Sequence, residues 1–372
     1  MLRQLGHPER HFACAHIGGT NGKGSVAAMV ASALEQAGHR VALYTSPHLV
    51  EVRERMMVAG LPISPSAFAM WTNRLRDAVE ECQASFFEAT TAIALADFSA
   101  RGADIAVIEV GLGGRLDATN VVNPVVTAVT AVSLEHTDYL GESLEGIAAE
   151  KAGIAKSGIP FVIGEENASV VAVLRETAEA RGAPIAEVSP GLEYDGRIGM
   201  AGPHQRRNAA VAQVVLAALP SEWRPGEDAI EGGIAAAWLP GRFDRRGKWL
   251  FDVAHNPSAV AALARTIRDL GVSRPLNALI GVLNDKDWAS MLDAVQSEVD
   301  SLWISTPPSA PAERISNLTQ LASLGGAGLV LEPDFDAALS GVQRDARTVL
   351  VTGSFHTVGD AMSRLPGFAP LG

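Results

Sequence analysis

A glycine-rich loop near the start of the chain constrains the fold more than any other feature of the sequence. Residues 12–17 form a short apolar run of the kind that makes a buried strand, and the loop of residues 19–25 follows at once. Apolar residues then recur at helical spacing from Val26 to Ala37, and Gly38 is placed to end that helix. Because residues 41–44 read as the next strand, the segment predicts a βαβ unit of a parallel sheet.

The same alternation continues along the chain, which predicts a doubly wound α/β domain with a parallel sheet. Further strands are expected at residues 105–110, 125–132 and 160–163, and further helices at 89–100, 144–155 and 208–218. The pattern breaks at Pro240-Gly241, and the arginines that follow, Arg242, Arg245 and Arg246, are typical of a linker.

A second α/β segment begins after this break. Its expected strands are residues 249–253, 278–282, 301–305 and 348–352, and its expected helices are 259–270 and 288–295. We therefore predict two domains, a larger one over residues 1–239 and a smaller one over residues 240–372.

Charge and composition exclude several classes of protein. The net charge is −12 and no long basic run occurs, which argues against sequence-independent binding of nucleic acid. No apolar run reaches the ~18 residues of a membrane span, and the first residues do not resemble a signal peptide. Cys14 and Cys82 form no pair motif. We expect a cytoplasmic monomer that handles small molecules.

The loop itself has the chemistry of a phosphate site. Glycines between a strand and a helix let backbone amides turn toward an anion, and the helix N-terminus adds partial positive charge. Lys23 would reach the β- and γ-phosphates of a nucleotide, and Ser25 would face Mg²⁺. The loop is not the standard P-loop, since Gly24 separates Lys23 from Ser25. The alternative is a glycine-rich turn with an incidental lysine.

Polar residues follow two of the predicted strands. Glu109 lies inside the apolar run of residues 105–110, near the carboxyl end of that strand. Its carboxylate would therefore lie at the edge of the sheet where ligands bind, placed to hold Mg²⁺. His136 follows the next strand and is a second candidate ligand. The alternatives are a buried acid paired in a salt bridge and a structural histidine.

Two further features complete the candidate set. The chain has five lysines, and Lys151 lies on a predicted helix close in sequence to the metal candidates. A lysine in such a position is otherwise a solvated charge. Asp252 to Asn256 end the first strand of the second domain, where an Asx turn and a helix cap before Pro257 are the alternative reading.

Taken in order, these segments resemble the folylpolyglutamate synthase and dihydrofolate synthase family, within the wider Mur ligase group. The residues that carry the resemblance are 16–25, 44–49 with Glu54 and Arg55, 109–120, 134–141, 150–154, His204 and Gln205 with Asn208, and 252–257. Residues 241–242, 281–287 and 353–355 resemble family segments less closely.

The resemblance implies roles for individual residues. ATP would be bound by Asn21, Gly22, Lys23, Gly24, Ser25, Asn208, Arg242 and Asp252. Two Mg²⁺ ions would be held by Ser25, Ser46, Glu109, His136 and Lys151, the last as a lysine carbamylated by CO₂. The folate would contact Phe86, Phe87, Leu116, Asp117 and Ala118, and the incoming glutamate would contact His255 and Ser354. Lys23, Lys151 and His255 are the expected catalytic residues.

The family implies an ATP-dependent ligase that adds L-glutamate to a folate, and also to dihydropteroate, through an acyl phosphate with release of ADP and phosphate. Whether one or both acceptors are used stays open, because the segment before Gly19 is shorter than in the family, where it helps to cover the pterin.

Other functions fit the sequence less well. A Mur-type ligase acting on a cell-wall precursor would not need Phe86 and Phe87, and no nucleotide-sugar domain precedes the loop. A P-loop kinase or GTPase would lack Gly24 in this position and the segment at Asp252. A non-catalytic nucleotide-binding protein would not need the candidate metal residues.

Overall fold

The computed structural model describes residues 1–318 and 328–371 and divides the chain into two compact units. The N-terminal unit comprises Met1–Pro47, Val52–Gly199 and Gln205–Trp238. The C-terminal unit comprises His48–Glu51, Met200–His204 and Leu239–Gly372. Within the described residues, no helix is long and apolar enough to cross a membrane.

A mainly parallel sheet forms the centre of the N-terminal unit. Its strands are β1 (Ala13–Gly18), β2 (Val41–Tyr44), β3 (Met56–Val58), β4 (Leu61–Pro62), β5 (Ile105–Glu109), β6 (Val126–Val129), β7 (Phe161–Ile163) and β8 (Ile185–Glu187). They lie in the order β4-β3-β2-β5-β1-β6-β7-β8. The pairs from β2 to β8 are parallel, whereas β2–β3 and β3–β4 are antiparallel. The carboxyl ends of β1, β5 and β6 therefore lie side by side.

Helices cover both faces of this sheet. They are α1 (Lys23–Gln36), α2 (Pro65–Cys82), α3 (Phe86–Ala100), α4 (Thr137–Leu140), α5 (Leu144–Ala152), α6 (Ala168–Ala180), α7 (Pro203–Ala218) and α8 (Glu227–Ala236), with a short 3-10 helix at Ala118–Val121. Local sequence explains their starts. Ser64 accepts a hydrogen bond from the Ala67 amide at the start of α2, and Ser85 and Glu88 form a capping box at the start of α3.

Two apolar clusters stabilise the N-terminal unit. One packs α2 and α3 against alternate residues of β1, β2 and β5, such as Cys14, Tyr44 and Ile108. The other packs α5 and α6 against β6 and β7, including Val129 and Phe161. Since successive side chains of a strand point to opposite faces, a parallel strand buried on both sides reads as a continuous apolar run.

The C-terminal unit has its own sheet. Its strands are β9 (Asp244–Arg246), β10 (Trp249–Phe251), β11 (Leu276–Ile280), β12 (Ser301–Ile304), β13 (Leu329–Leu331) and β14 (Thr348–Thr352), in the order β13-β12-β11-β14-β10-β9. The β9–β10 pair is antiparallel and the other pairs are parallel. Its helices are α9 (Pro257–Asp269), α10 (Trp288–Gln296), α11 (Phe335–Val342) and α12 (Phe355–Arg364).

The predicted α/β class is confirmed, and one local interpretation was wrong. Arg245 and Arg246 are part of β9 rather than of a linker. Asp244 and Arg246 form an ion pair of 2.9 Å there, and Asp244 is buried. A three-residue edge strand made of charged residues shows no alternation of apolar and polar residues, so the sequence pattern does not predict it.

Candidate active site

The glycine-rich loop joins β1 to α1, as predicted. Gly18 ends β1, Gly22 caps α1, and Lys23 is the first residue of the helix. Gly19 and Gly22 have φ values of +139° and +89°, which non-glycine residues rarely adopt. The chain therefore turns sharply at the point where the first amides of α1 emerge.

The segment that follows β6 holds this loop. The Thr20 amide donates to the Ala131 carbonyl (2.6 Å), and the Asn21 side-chain amide donates to the Ser133 hydroxyl (3.1 Å). The Thr130 hydroxyl donates to the Asn21 carbonyl (2.7 Å). Contacts within the protein therefore hold the loop in this shape.

Helix α7 contributes a second set of contacts to the loop. The Gln205 side chain donates to the buried Ser25 hydroxyl (3.2 Å) and accepts from the side-chain amide of Asn208 (3.0 Å). Asn208 lies so close to Gly22 that a Cβ atom at position 22 would be 2.5 Å from the Asn208 Oδ1 atom. The Lys23 ammonium donates to the Thr20 carbonyl (3.0 Å). The family resemblance includes Gln205, but it implies a role only for Asn208.

Glu109 is the last residue of β5 and is only 4% exposed. Its Oε2 atom accepts a hydrogen bond from the Ser46 amide (3.0 Å), so the structure brings these two predicted residues together. Arg55 is also buried here, and burial lowers the pKa of its guanidinium while Tyr44 and Glu109 act in the opposite direction. A buried cation beside Glu109 is a feature that the sequence did not predict.

Lys151 is buried rather than solvated. Its ammonium donates to the Gly19 carbonyl (2.9 Å), at the carboxyl end of the neighbouring strand β1. Burial lowers the pKa of Lys151 to about 7, and the charge of Lys23 acts in the same direction. The carboxylates of Glu135 and Asp117 partly oppose this shift. The amine therefore has a substantial neutral fraction near neutral pH.

His136 lies in a more open position. Its φ is +53°, its side chain is 37% exposed, and its Nε2 atom is 3.8 Å from a carboxylate oxygen of Glu135. Among the described residues, no three His, Cys, Asp or Glu side chains are grouped as they would be in a protein-only metal site. Mg²⁺ usually takes one or two carboxylates together with water and substrate phosphates. The Glu109 carboxylate fits that donor set.

The predicted folate residues lie at the start of α3 and in the loop after β5. Phe86 is 59% exposed, and the Arg55 guanidinium lies 5.4 Å from its ring centre. Phe87 packs against Gly111, leaving no room there for a side chain. Leu116 is 80% exposed. Phe86 and Leu116 are therefore exposed apolar side chains, a type that is common at ligand-binding surfaces.

In the C-terminal unit, Asp252 is buried at the end of β10. Its carboxylate accepts hydrogen bonds from the amides of Phe243 and Ala254, both 2.9 Å long. Burial raises the pKa of Asp252, whereas Arg242 and His204 lower it. The Arg242 guanidinium also lies 5.2 Å from the ring centre of Phe355.

His255 and Ser354 have well-defined local contacts. The His255 Nδ1 atom donates to the Val253 carbonyl (2.8 Å), which makes Nε2 the acceptor nitrogen of the ring. The Ser354 hydroxyl caps α12 by accepting from the Thr357 amide (3.1 Å), and it donates to the Gly281 carbonyl (2.9 Å). The structure thus gives Ser354 a capping role that the sequence interpretation did not include.

Comparison with known proteins identifies relatives for both parts of the chain. The Mur ligase middle domain matches residues 17–216, and the Mur ligase glutamate ligase domain matches residues 241–355. The dihydrofolate synthase/folylpolyglutamate synthase of Bacillus subtilis is 30% identical, over 98% of this chain and 93% of that protein. The enzyme of the same name from Escherichia coli is 37% identical, over 93% of this chain and 85% of that protein.

The chain belongs to the dihydrofolate synthase/folylpolyglutamate synthase family of Mur ligases. Solved structures of this family have the same fold. Escherichia coli FolC in complex with DHPP and ADP has a TM-score of 0.87 at 35% identity, covering 97% of this chain and 90% of that one. The Mycobacterium tuberculosis folylpolyglutamate synthase complexed with ADP and AMPPCP has a TM-score of 0.88 at 32% identity, covering 98% and 93%.

Proposed function

We propose that this chain is an ATP-dependent ligase that adds L-glutamate to a folate, and also to dihydropteroate. The observation that carries the proposal is the grouping at the carboxyl edge of the N-terminal sheet. Lys23 and Ser25 begin α1, Lys151 donates to the Gly19 carbonyl, and Glu109 ends the adjacent strand β5. The names and bound nucleotides of the relatives support the same conclusion.

We assign the glycine-rich loop to the ATP phosphates. The amides at the start of α1 and the Lys23 ammonium would offset the phosphate charge, and Ser25 and Asn21 border the same loop. Asn208, Arg242 and Asp252 are assigned to the rest of the nucleotide. The Asn208 side chain supports this by its contact with Gly22, and the buried Asp252 carboxylate by its fixed orientation.

We assign two Mg²⁺ sites to Ser25, Ser46, Glu109, His136 and Lys151. The buried Glu109 carboxylate is the strongest support, because a carboxylate at the carboxyl end of a buried strand supplies the kind of oxygen ligand that Mg²⁺ takes in proteins. Bound there, Mg²⁺ would offset negative charge on the reacting phosphate groups. The hydrogen bond from the Ser46 amide orients the Glu109 carboxylate through its Oε2 atom.

We further propose that Lys151 reacts with CO₂ to form a carbamate. The attacking species is the neutral amine, and its pKa of about 7 provides it near neutral pH. The nitrogen forms a bond to the carbon of CO₂ and releases one proton. The product is an anion next to the Lys23 ammonium, which would serve the second Mg²⁺ in place of a carboxylate side chain.

The proposed reaction has two steps. A carboxylate oxygen of the folate attacks the γ-phosphate of ATP, and the bond to ADP breaks while Lys23 offsets the charge. The neutral amine of glutamate then attacks the acyl phosphate, and inorganic phosphate leaves. We assign His255 and Ser354 to this incoming glutamate, where the Nε2 atom of His255 would accept a proton from its ammonium group.

The decisive test is mass spectrometry of the products formed with MgATP and glutamate. One reaction contains dihydropteroate and the other a reduced folate monoglutamate. A gain of one glutamate on both establishes a bifunctional enzyme, and a gain on the folate alone restricts the function to polyglutamate synthesis. No gain on either acceptor, with no ADP formed, refutes the proposal.

We also propose that the enzyme acts as a cytoplasmic monomer. Cys14 and Cys82 are both free thiols, as expected in a reducing compartment. Light scattering during gel filtration measures the oligomeric state, and a dimer mass at micromolar concentration would contradict a monomer.

A further inference from the structure

His16 carries an unpaired nitrogen at the centre of the N-terminal sheet. It is fully buried in β1, in register with Ile108 of β5 and Thr127 of β6. Its Nδ1 atom has no hydrogen-bond partner among the residues that the structure describes. Burial lowers the pKa of His16 to about 3, so the ring is neutral at physiological pH. Because a buried unpaired group destabilises the fold, sheet stability does not explain this histidine.

The other ring nitrogen of His16 has a partner in the loop after β5. Its Nε2 atom lies 2.8 Å from the hydroxyl oxygen of Thr119, which is also fully buried. The Thr119 hydroxyl donates its single proton to the Asp117 Oδ1 atom, at 2.5 Å. It can therefore only accept from His16, which assigns the ring proton to Nε2. His16, Thr119 and Asp117 form a directed chain of hydrogen bonds.

Asp117 holds this loop together. Its Oδ1 atom also accepts from the Thr119 amide (2.9 Å), and its Oδ2 atom accepts from the Leu112 amide (2.8 Å). The carboxylate thus ties both ends of residues 112–119. Each carboxylate oxygen can accept two hydrogen bonds. Oδ1 has two donors, whereas Oδ2 has one among the described contacts and retains acceptor capacity for a ligand.

We propose that His16 is a positioning residue, which acts through Thr119 to aim the Asp117 carboxylate at the folate-side substrate. The inference rests on the proposed function, since it is the family resemblance that places Asp117 at the folate. A pteridine ring that carries amino and ring N–H groups is the ligand that such an acceptor recognises. The geometry of this acceptor is set from inside the sheet, by a side chain that the substrate does not touch.

The test compares three variants with the wild-type enzyme. His16→Leu removes the donor at similar volume, whereas His16→Gln keeps an N–H group near the position of Nε2. Thr127→Val is the matched control, because Thr127 is equally buried in the neighbouring strand and its hydroxyl donates to the Pro160 carbonyl instead. Steady-state kinetics give KM for folate, ATP and glutamate, and urea unfolding gives stability.

We expect His16→Leu to raise KM for the folate about tenfold, the effect of losing one hydrogen bond in a chain that ends at a carboxylate. KM for ATP and KM for glutamate should stay within about twofold of the wild-type values. His16→Gln should recover most of this loss, and Thr127→Val should leave all three KM values unchanged. Equal changes in all three KM values, or His16→Gln no better than His16→Leu, would overturn the inference.

A double-mutant cycle covers the case in which His16→Leu does not fold. Thr119→Val removes the link between His16 and Asp117, so it should raise KM for the folate by itself. His16→Asn, which places its side-chain amide near the position of Nδ1 rather than Nε2, should by itself raise KM for the folate. Combined with Thr119→Val it should change KM no further, and a full additive effect would contradict the chain of hydrogen bonds. If the wild-type enzyme adds no glutamate to either acceptor, the proposed function fails instead. If the wild-type enzyme is active and the variants have an unchanged KM for the folate, only the role of His16 is refuted.

Discussion

Replacing Gly22 by alanine tests how closely the glycine-rich loop packs against α7. Gly22 has φ +89°, and a Cβ atom there would lie 2.5 Å from the Asn208 Oδ1 atom. Gly38, just beyond the other end of α1, has φ +92° and no atom within 4 Å of the equivalent Cβ position. Gly38→Ala therefore introduces the same kind of backbone strain without the steric overlap, and serves as the matched control.

The expected magnitudes follow from these two environments. A left-handed conformation costs an alanine about 1–2 kcal/mol, so both variants lose that much stability. At position 22, Asn208 must also retreat by about 0.9 Å to restore an ordinary contact of 3.4 Å. The bond between Asn208 and Gln205 is then lost. We expect Gly22→Ala to lose about 1–3 kcal/mol more than Gly38→Ala.

Activity should separate the two variants further. A misplacement of about 1 Å can cost 100-fold in rate, so we expect kcat/KM for ATP to fall by about that factor in Gly22→Ala and to change less than about twofold in Gly38→Ala. Urea unfolding and ADP release at varied MgATP measure the two quantities. Adding Asn208→Ala to Gly22→Ala should recover stability by removing the overlap. If Gly22→Ala and Gly38→Ala behave alike in both assays, the assignment of this contact is wrong.

Three other perturbations test the assigned charges. Lys23→Ala should lower ligation about 1000-fold without a change in circular dichroism, whereas Lys248→Ala, which removes an exposed lysine, should leave turnover unchanged. Glu109→Gln should raise the MgCl₂ concentration for half-maximal activity by at least about tenfold, and an unchanged requirement would contradict a metal role. Lys151 binds fewer protons in the folded state than in the unfolded state between pH 7 and 10.5, because burial lowers its pKa from 10.5 to about 7. Raising the pH through that window should therefore stabilise the wild-type protein relative to Lys151→Met. If the free energies of unfolding of the two proteins, measured in urea, change with pH in the same way, Lys151 is not buried.

The elements around the glycine-rich loop could be predicted because their signals are local. The apolar runs before the loop and at residues 105–109 are strands, and Gly38 follows the end of α1 with a positive φ. The antiparallel strands β3, β4 and β9 have three residues or fewer. Their pairing depends on the strands beside them, which no short window of sequence contains. The start of α2 was detectable, since Ser64-Pro65 is a capping signal.

The candidate site was predictable as a set of segments and less so as a set of contacts. Lys23 and Glu109 follow from motif and strand position. The burial of Lys151 does not, because the sequence of the helix that carries it does not indicate which face is buried. Gln205 meets Ser25 across 180 positions of the chain, and His16 meets Thr119 across 103. Such pairs form only when the chain folds, and no short motif in the sequence contains both residues.

The contact between Gly19 and Thr130 has a consequence for how such a chain can diverge. A side chain at position 19 would overlap the Thr130 hydroxyl, and that hydroxyl in turn donates to the Asn21 carbonyl (2.7 Å) and lies 3.2 Å from the Gly18 carbonyl. Neither position can therefore change alone without disturbing the loop. Substitutions here are expected to arise as compensated pairs, so that sequence change in the glycine-rich loop is coupled to a residue that follows β6, more than a hundred positions away.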